Sequence, residues 1–322
     1  MSHFAQRTQV VINPSARSGR GAQALQKLRA ASAALPHAGG LEWVESQSPA
    51  HFVELVQKAQ DPAASLRALA VAGGDGTVTM AIDALAALRS PQRTPLAVLP
   101  TGSGNDFAND IGASRSLATA FATLLHGTPR WVDVGEIQPG GRRFCCVASV
   151  GLDELALRHI HGSRFARSKA LNIYSALRGL MEYRPRRVRV RWQGGSFAGE
   201  VMFCAVTNTR SYGGGFQVSP QAQVDDGALD LCIVPRMPKL SLLGHFPRIL
   251  RGTHAEVPGV ILAQSPWVEI QGPDGTSEEL LPLCIDGELP SGQTPLTLRC
   301  VHRGLLVLGP DALAAGRIEE AA

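Results

Sequence analysis

The chain has 322 residues, 44% of them hydrophobic and 18% charged, and a formal net charge of +4 with its nine histidines neutral. That balance suits a globular protein of about two domains, and the mild positive charge tolerates an anionic surface without requiring nucleic acid. No run approaches the ~18 uninterrupted apolar residues of a membrane span, and the opening MSHFAQRTQVVINP breaks at Asn13-Pro14 before any signal-peptide core, which predicts a soluble cytoplasmic protein.

In chain order, short runs with apolar centres at residues 8–12, 41–45, 67–72, 95–100 and 130–135 alternate with helical spacings such as Leu25 and Leu28, or Phe52, Leu55 and Val56. Short strands separated by helices require right-handed crossovers and a mainly parallel sheet covered on both faces. Residues 1–135 are therefore predicted to be a doubly wound, Rossmann-like α/β domain.

Beyond residue 135 the texture changes. RFCCVASVGL, RVRVRWQ, GEVMFCAVTN, ALDLCIVP, WVEIQG and PLTLRCVH read as strands bounded by Gly, Pro and Asp, interrupted by helical stretches near 165–183 and 238–251. A mostly antiparallel β-sandwich over residues 136–303 fits this pattern. The last apolar run, 304–309, is expected to return to the first domain, with an Ala-rich tail fraying to residue 322. Six cysteines, at 145, 146, 204, 232, 284 and 300, form no C-x-x-C pair and sit mostly in apolar runs, which predicts buried, reduced thiols rather than disulfides or a metal site.

The stretch VAGGDGTVTM, residues 71–80, joins a buried strand to a helix carrying Val78, Ile82, Leu85 and Leu88 on one face. Such a turn presents backbone N–H groups and the positive end of a helix dipole, a setting for phosphate, and glycines remove the Cβ atoms that would hold a pyrophosphate away. The plain alternative is a tight turn at Gly73, Gly74 and Gly76 with Asp75 or Thr77 capping the helix. PTGSGNDFAND, 100–110, repeats the arrangement, and NPSARSGRG, 13–21, adds a third loop after the first strand. Three loops around one end of a sheet make a nucleotide the leading ligand, although no P-loop pattern G-x-x-x-x-G-K-[ST] occurs.

The ordered set NPSARSG, GGDGT, PTGSGNDFA, VDVG, FCCVASVGLDE, YGGGFQVSPQAQVDDGALD and IDGE, spanning about residues 13–288, resembles the diacylglycerol kinase catalytic family, which includes bacterial lipid kinases and sphingosine kinases. GGDGT alone is shared with NAD kinases and, loosely, phosphofructokinases, so the first domain is expected to resemble theirs. The resemblance implies that Gly73, Gly74, Asp75, Gly76 and Thr77 contact ATP, flanked by Asn13 and by Gly102, Ser103, Asn105 and Asp106 of the second loop. Ser103 stands where the family usually has Thr, which keeps a hydroxyl; Val78, Thr79 and Met80 replace the common Leu-Asn-Glu. Ser46 lies where relatives often place an ATP-contacting Thr, and a helix cap is the competing role.

By the same resemblance, Asp226 with backbone oxygens of Gln223 and Ala228 would hold a structural Mg²⁺, whose hard-oxygen preference suits them, and Asp133 would join the surrounding polar network. From the segment alone, QVDDGALD reads as an Asp-Gly hairpin with solvated carboxylates. CIDGELP reads as another hairpin, and the resemblance places the proton acceptor there, with Glu288 as general base and Asp286 as rival or assistant.

The expected activity is transfer of the ATP γ-phosphate to the hydroxyl of a lipid such as diacylglycerol or a sphingoid base. A small-molecule kinase of the NAD kinase type and a non-catalytic nucleotide-binding regulator are the alternatives. A lipid acceptor implies peripheral docking on an anionic membrane, for which the basic residues between Arg158 and Arg191, including RPRRVRVR, are candidates against a plain solvated strand face. No nucleic-acid partner is expected, and a homodimer is left open.

Overall fold

The computed structural model describes residues 7–13, 21–33, 40–88, 90–113, 116–163, 168–272, 282–289 and 295–310. The loop at 14–20, Arg164, Arg167 and the tail from 311 lie outside the described residues. The chain divides into two compact units, Met1–Val132 with Arg303–Ala322, and Asp133–His302.

In the first unit β1 (Thr8–Ile12), β2 (Leu41–Glu45), β3 (Ala68–Gly73) and β4 (Leu96–Pro100) run parallel in the order β2-β1-β3-β4. The carboxyl-terminal part of β14 (Leu296–Gly309) joins beside β4, with Val307 opposite Leu96. The crossovers are α1 (Gly21–Ala33), α2 (Pro49–Lys58), α3 (Asp75–Ala86), α4 (Asp106–Asp110) and α5 (Leu117–His126). Val10, Ile12, Ala70 and Leu99 pack with Phe121 and Leu124 of α5 on one face. The alternate residues Val11, Leu69, Val71 and Val98 are equally buried, so the second face is covered too, as a doubly wound sheet requires. Helix starts follow local chemistry: Ser48 accepts the His51 N–H at 3.1 Å ahead of Pro49, and Ser116 accepts the Thr119 N–H at 3.1 Å.

β5 (Thr128–Gln138) leads into the second unit. There β6 (Arg142–Phe144), β7 (Val147–Gly151), β8 (Arg186–Trp192), β9 (Gly195–Thr207), β10 (Leu229–Pro235), β11 (Ile261–Ser265), β12 (Trp267–Gln271) and β13 (Leu283–Ile285) pair antiparallel with one another, and β12 also pairs with the start of β14. One edge of β9 pairs with β10 while the other pairs first with β8 and then, from Phe203, with β7. The strand thus serves both layers of a sandwich whose core includes Phe144, Val190, Val206, Leu231, Ile270 and Leu298. The two helices expected here are α7 (Lys169–Glu182) and α8 (Lys239–Arg251). A third, α6 (Leu152–His161), was not expected. Gly151, at φ 125°, turns β7 into α6 within one residue, so strand and helix merge into one apolar run with no turn signal between them. All six cysteines are free thiols and five are buried; burial pushes Cys204 up to about 12, so it packs rather than reacts.

Candidate active site

In the first unit the two glycine-rich turns meet at the carboxyl ends of β3 and β4. Thr101 N–H donates to the Gly73 carbonyl at 3.0 Å. A Cβ on Gly74 would stand 2.9 Å from the Cα of Gly102, and one on Gly102 would stand 2.5 Å from the Cα of Gly74 and 2.6 Å from Oδ1 of Asn105. Gly73 is covered by the Thr77 side chain, whereas a Cβ on Gly76 would have nothing within 4 Å. Gly74 and Gly102 are therefore needed first for one turn to lie against the other, Gly73 makes room for Thr77 of its own turn, and of the glycines in GGDGT it is Gly76 that has the open approach sequence reasoning gave to the whole turn.

Side chains fasten this contact. Asn105 sits in the left-handed region at φ 57°, where its amide accepts the Gly102 N–H at 2.8 Å and donates to the Gly102 carbonyl at 3.0 Å. Asp75 accepts the Phe107 N–H at 3.2 Å, tying the start of α3 to α4, and the neighbouring Asp106 is buried. Gly74, the residue ahead of α3, offers no side-chain cap, and its carbonyl takes the Thr77 N–H at 2.9 Å, so the positive end of the helix dipole is not covered by a capping side chain. Ser103 is exposed beside them. Ser46 is buried and donates to the Ile12 carbonyl at 3.1 Å; the helix cap nearby is Ser48, not Ser46. Asn13 follows β1 directly. The expected nucleotide residues of this unit thus sit at the carboxyl ends of β1 to β4 or in the helix starts that follow.

In the second unit the acidic hairpin is a two-residue turn: Ile285 N–H donates to the Glu288 carbonyl at 2.9 Å and Glu288 N–H returns to Ile285 at 2.8 Å. Asp286 and Gly287 both have positive φ, 44° and 87°, the signature of a type I′ turn. The Asp286 carboxylate accepts three backbone N–H groups, from Cys145 at 2.7 Å, Cys146 at 2.9 Å and Val147 at 2.8 Å. That amide cradle also accounts for the approach of the Cys145 and Cys146 thiols to Asp286, a grouping a soft metal could otherwise use. Glu288 is more open and pairs with Arg142 at 2.5 Å. Residues 142–147 therefore hold both carboxylates, one by a guanidinium and the other by the main chain. Neither Arg142 nor this cradle was identified from sequence, since GGRRF reads as an ordinary hairpin tip and backbone donors leave no residue signature.

The loop carrying Asp226 is fixed from behind by Asp133. This fully buried carboxylate accepts the Gly227 N–H at 2.6 Å and faces Nδ1 of His302 at 2.9 Å, while the Asp133 N–H donates to the Val224 carbonyl at 2.6 Å. Asp226 accepts from its own Ala228 N–H at 3.1 Å and from Gln264 at 2.6 Å, an Asx turn in a loop ahead of β10 rather than a hairpin. Asp230 lies alongside with Oδ2 buried and no hydrogen-bond partner among the described residues. Burial, with the Asp226 charge adding, pushes Asp230 up to about 7. An orphaned carboxylate oxygen next to a second carboxylate and backbone carbonyls is a donor set that fits a hard divalent cation. Elsewhere in the unit, Tyr212 donates to Asp153 at 2.6 Å, and burial raises Asp153 above the usual carboxylate range.

Residues 7–137 match the family model described as the diacylglycerol kinase catalytic domain, and residues 146–309 match that of the YegS C-terminal NAD kinase beta sandwich-like domain. A protein of Chromohalobacter salexigens named "Probable lipid kinase YegS-like" is 34% identical over 242 residues, 73% of this chain and 73% of its own length. The diacylglycerol kinase of Bacillus subtilis is 30% identical over 249 residues, 76% of this chain and 78% of its own. Among solved structures, a diacylglycerol kinase from Bacillus anthracis superposes with a TM-score of 0.68 over 97% of this chain and 99% of its own, at 20% identity, which supports the fold. This chain belongs to the diacylglycerol kinase family of lipid kinases.

Proposed function

We propose that this chain transfers the γ-phosphate of ATP to the hydroxyl of a lipid alcohol, diacylglycerol or a sphingoid base being the leading acceptors. The nucleotide phosphates lie against the joined glycine-rich turns of the first unit, where Gly76 leaves open space at the positive dipole end of α3. Glu288 takes the acceptor's hydroxyl proton as that oxygen attacks the γ-phosphorus, and ADP departs with the electrons of the broken P–O bond.

The observation that carries the assignment of Glu288 is the difference between the two hairpin carboxylates. Asp286 has its oxygens committed to three main-chain N–H groups, whereas Glu288 is held by one side chain that can be displaced. Arg142 is then the group that sets the direction of Glu288. Mg²⁺, held by Asp226 and the backbone oxygens of Gln223 and Ala228, would neutralise carboxylate charge and fix the loop that Asp133 braces. The test is incubation with γ-labelled ATP, Mg²⁺ and a panel of lipid vesicles, beside NAD and a no-acceptor control, with products separated by phase extraction. Label in extracted lipid is expected. Label in NAD would instead make the chain a small-molecule kinase, and binding of ATP without any transfer would favour a regulator.

A further inference from the structure

Helix α8 is amphipathic in the usual sense on only one of its sides. Leu242, Phe246 and Ile249 face inward, the first and last buried and the Phe246 ring edge-on to Phe216 at 5.6 Å between centroids. The opposite side, which should carry charge on a solvent-facing helix, instead presents Leu240, Leu243, Gly244 and Pro247 at helical spacing. Leu240 is 82% exposed and Leu243 44% exposed. At the same end, Met181 of α7 is 69% exposed, and its carbonyl accepts the Lys239 ammonium at 2.6 Å. Cations flank this apolar stripe: Lys239 at the start of the helix, and Arg248 and Arg251 in its last turn, Arg248 being paired with Glu256 beyond the helix at 2.7 Å; there is no Asp or Glu in Lys239–Arg251 itself.

We infer that the outer face of α8, with Met181 beside it, is the surface by which the second unit docks on an anionic lipid bilayer. An exposed apolar stripe rimmed by Lys and Arg on a helix of low mean hydropathy is the pattern of a helix lying in the membrane interface, leucines among the acyl chains and cations at the phosphates. Each cation near an anionic surface adds about fivefold to partitioning. A second copy of this chain fits the face poorly, because a two-fold contact would set Lys239 and Arg251 against their own equivalents without an acid from the helix to offset them.

The basic strand β8, the candidate from sequence, is less suited. Its exposed positions, Arg186, Arg187, Arg189 and Arg191, are all arginines with no exposed apolar side chain among them to enter the acyl chains, and Arg191 pairs with Glu269 at 3.2 Å while Arg187 lies opposite Glu200 on β9. The inference rests on the lipid-acceptor reading for its purpose, but its test needs neither ATP nor turnover.

Flotation with vesicles of phosphatidylglycerol and phosphatidylcholine, against vesicles of phosphatidylcholine alone, measures the docking. The parent protein is expected to float with the anionic vesicles, and Leu240→Glu with Leu243→Glu to weaken that binding at least tenfold; since both side chains are exposed, the variant should melt as the parent does. A Leu240→Trp probe should shift its emission to the blue on anionic vesicles. Undiminished flotation of the double variant, or no shift of the probe, overturns the inference. So does a dimer in sedimentation velocity that the double variant dissolves, which would assign the face to a second copy. Should the parent phosphorylate no lipid while vesicle binding behaves as described, the lipid-kinase reading fails and the docking face stands.

Discussion

The two units build their chemistry from opposite materials. In the first, the working parts are places where side chains are missing: Gly74 and Gly102 bring two turns into backbone contact, and Asn105 and Asp75 fasten them. In the second, the working parts are carboxylates, and the main chain supplies the fastening, with three amides on Asp286 and one on the inner oxygen of Asp133. A phosphate site needs donors that can be approached closely, which is why bare backbone suits the one proposed here. A proton acceptor needs a carboxylate with one side open, and the proposed one, Glu288, is the hairpin acid that the main chain does not lock.

The largest effect that could break this comparison is expected at Gly102→Val. A Cβ there meets the Gly74 Cα at 2.5 Å, so the turns must part, with a loss of about 1–3 kcal/mol of stability from overpacking and of at least a hundredfold in nucleotide affinity. Gly76→Ala has open space and should leave stability unchanged or slightly raised, as Ala favours a helix over Gly by roughly 0.5–1 kcal/mol, while lowering nucleotide affinity if phosphate occupies that space. Urea unfolding beside nucleotide titration separates the two, and equal behaviour of both variants would contradict the division of roles among the glycines.

A smaller effect is expected from exchanging the acids for amides in the acidic hairpin. Asp286→Asn leaves one acceptor oxygen for three N–H donors and should cost about 1–3 kcal/mol, whereas Glu288→Gln, exposed and held among the described residues by Arg142, should melt within about 0.5 kcal/mol of the parent. Matching melting curves for the two variants would mean that the amide cradle does not anchor the turn.

The smallest expected effect concerns Asp153. Its folded-state pKa is raised by burial, so the folded protein holds this proton more tightly than the unfolded chain, and the site's contribution falls as pH rises from the ordinary carboxylate range. Asp153→Asn keeps an acceptor for Tyr212 and removes the titration. The variant should match the parent near pH 4 and gain about 2–4 °C in Tm near pH 8 per kcal/mol relieved. A gap that does not grow with pH would show that the carboxylate is not penalised.

Much of this was legible in the sequence for identifiable reasons. Alternation of short strands with helices predicted the doubly wound unit, because crossover geometry leaves few other solutions, and dense β-runs between Gly, Pro and Asp predicted the sandwich. The glycine motifs marked the turns but not their purpose, since contact between Gly74 and Gly102 depends on how two strands whose paired residues are 27 positions apart in the chain sit side by side, with Gly73 opposite Pro100. Likewise, the acids facing the arginines of β8 follow from register with β9 and β12, which no local pattern fixes. The lock on Asp286 was invisible because its donors are peptide groups, the one part of the chain that every residue type shares except proline. α6 was hidden by a bend that a single glycine accomplishes.

In the proposed division of labour, nucleotide binding belongs to the joined turns and proton acceptance to Glu288. Glu288→Gln tests it most directly when the affinity of a non-hydrolysable ATP analogue and the turnover of labelled ATP onto lipid are measured on one preparation. Unchanged affinity is expected, with turnover lowered about 10²–10⁴-fold, the range for loss of a general base. Turnover at the parental level in the folded variant would contradict it and shift the role to Asp286.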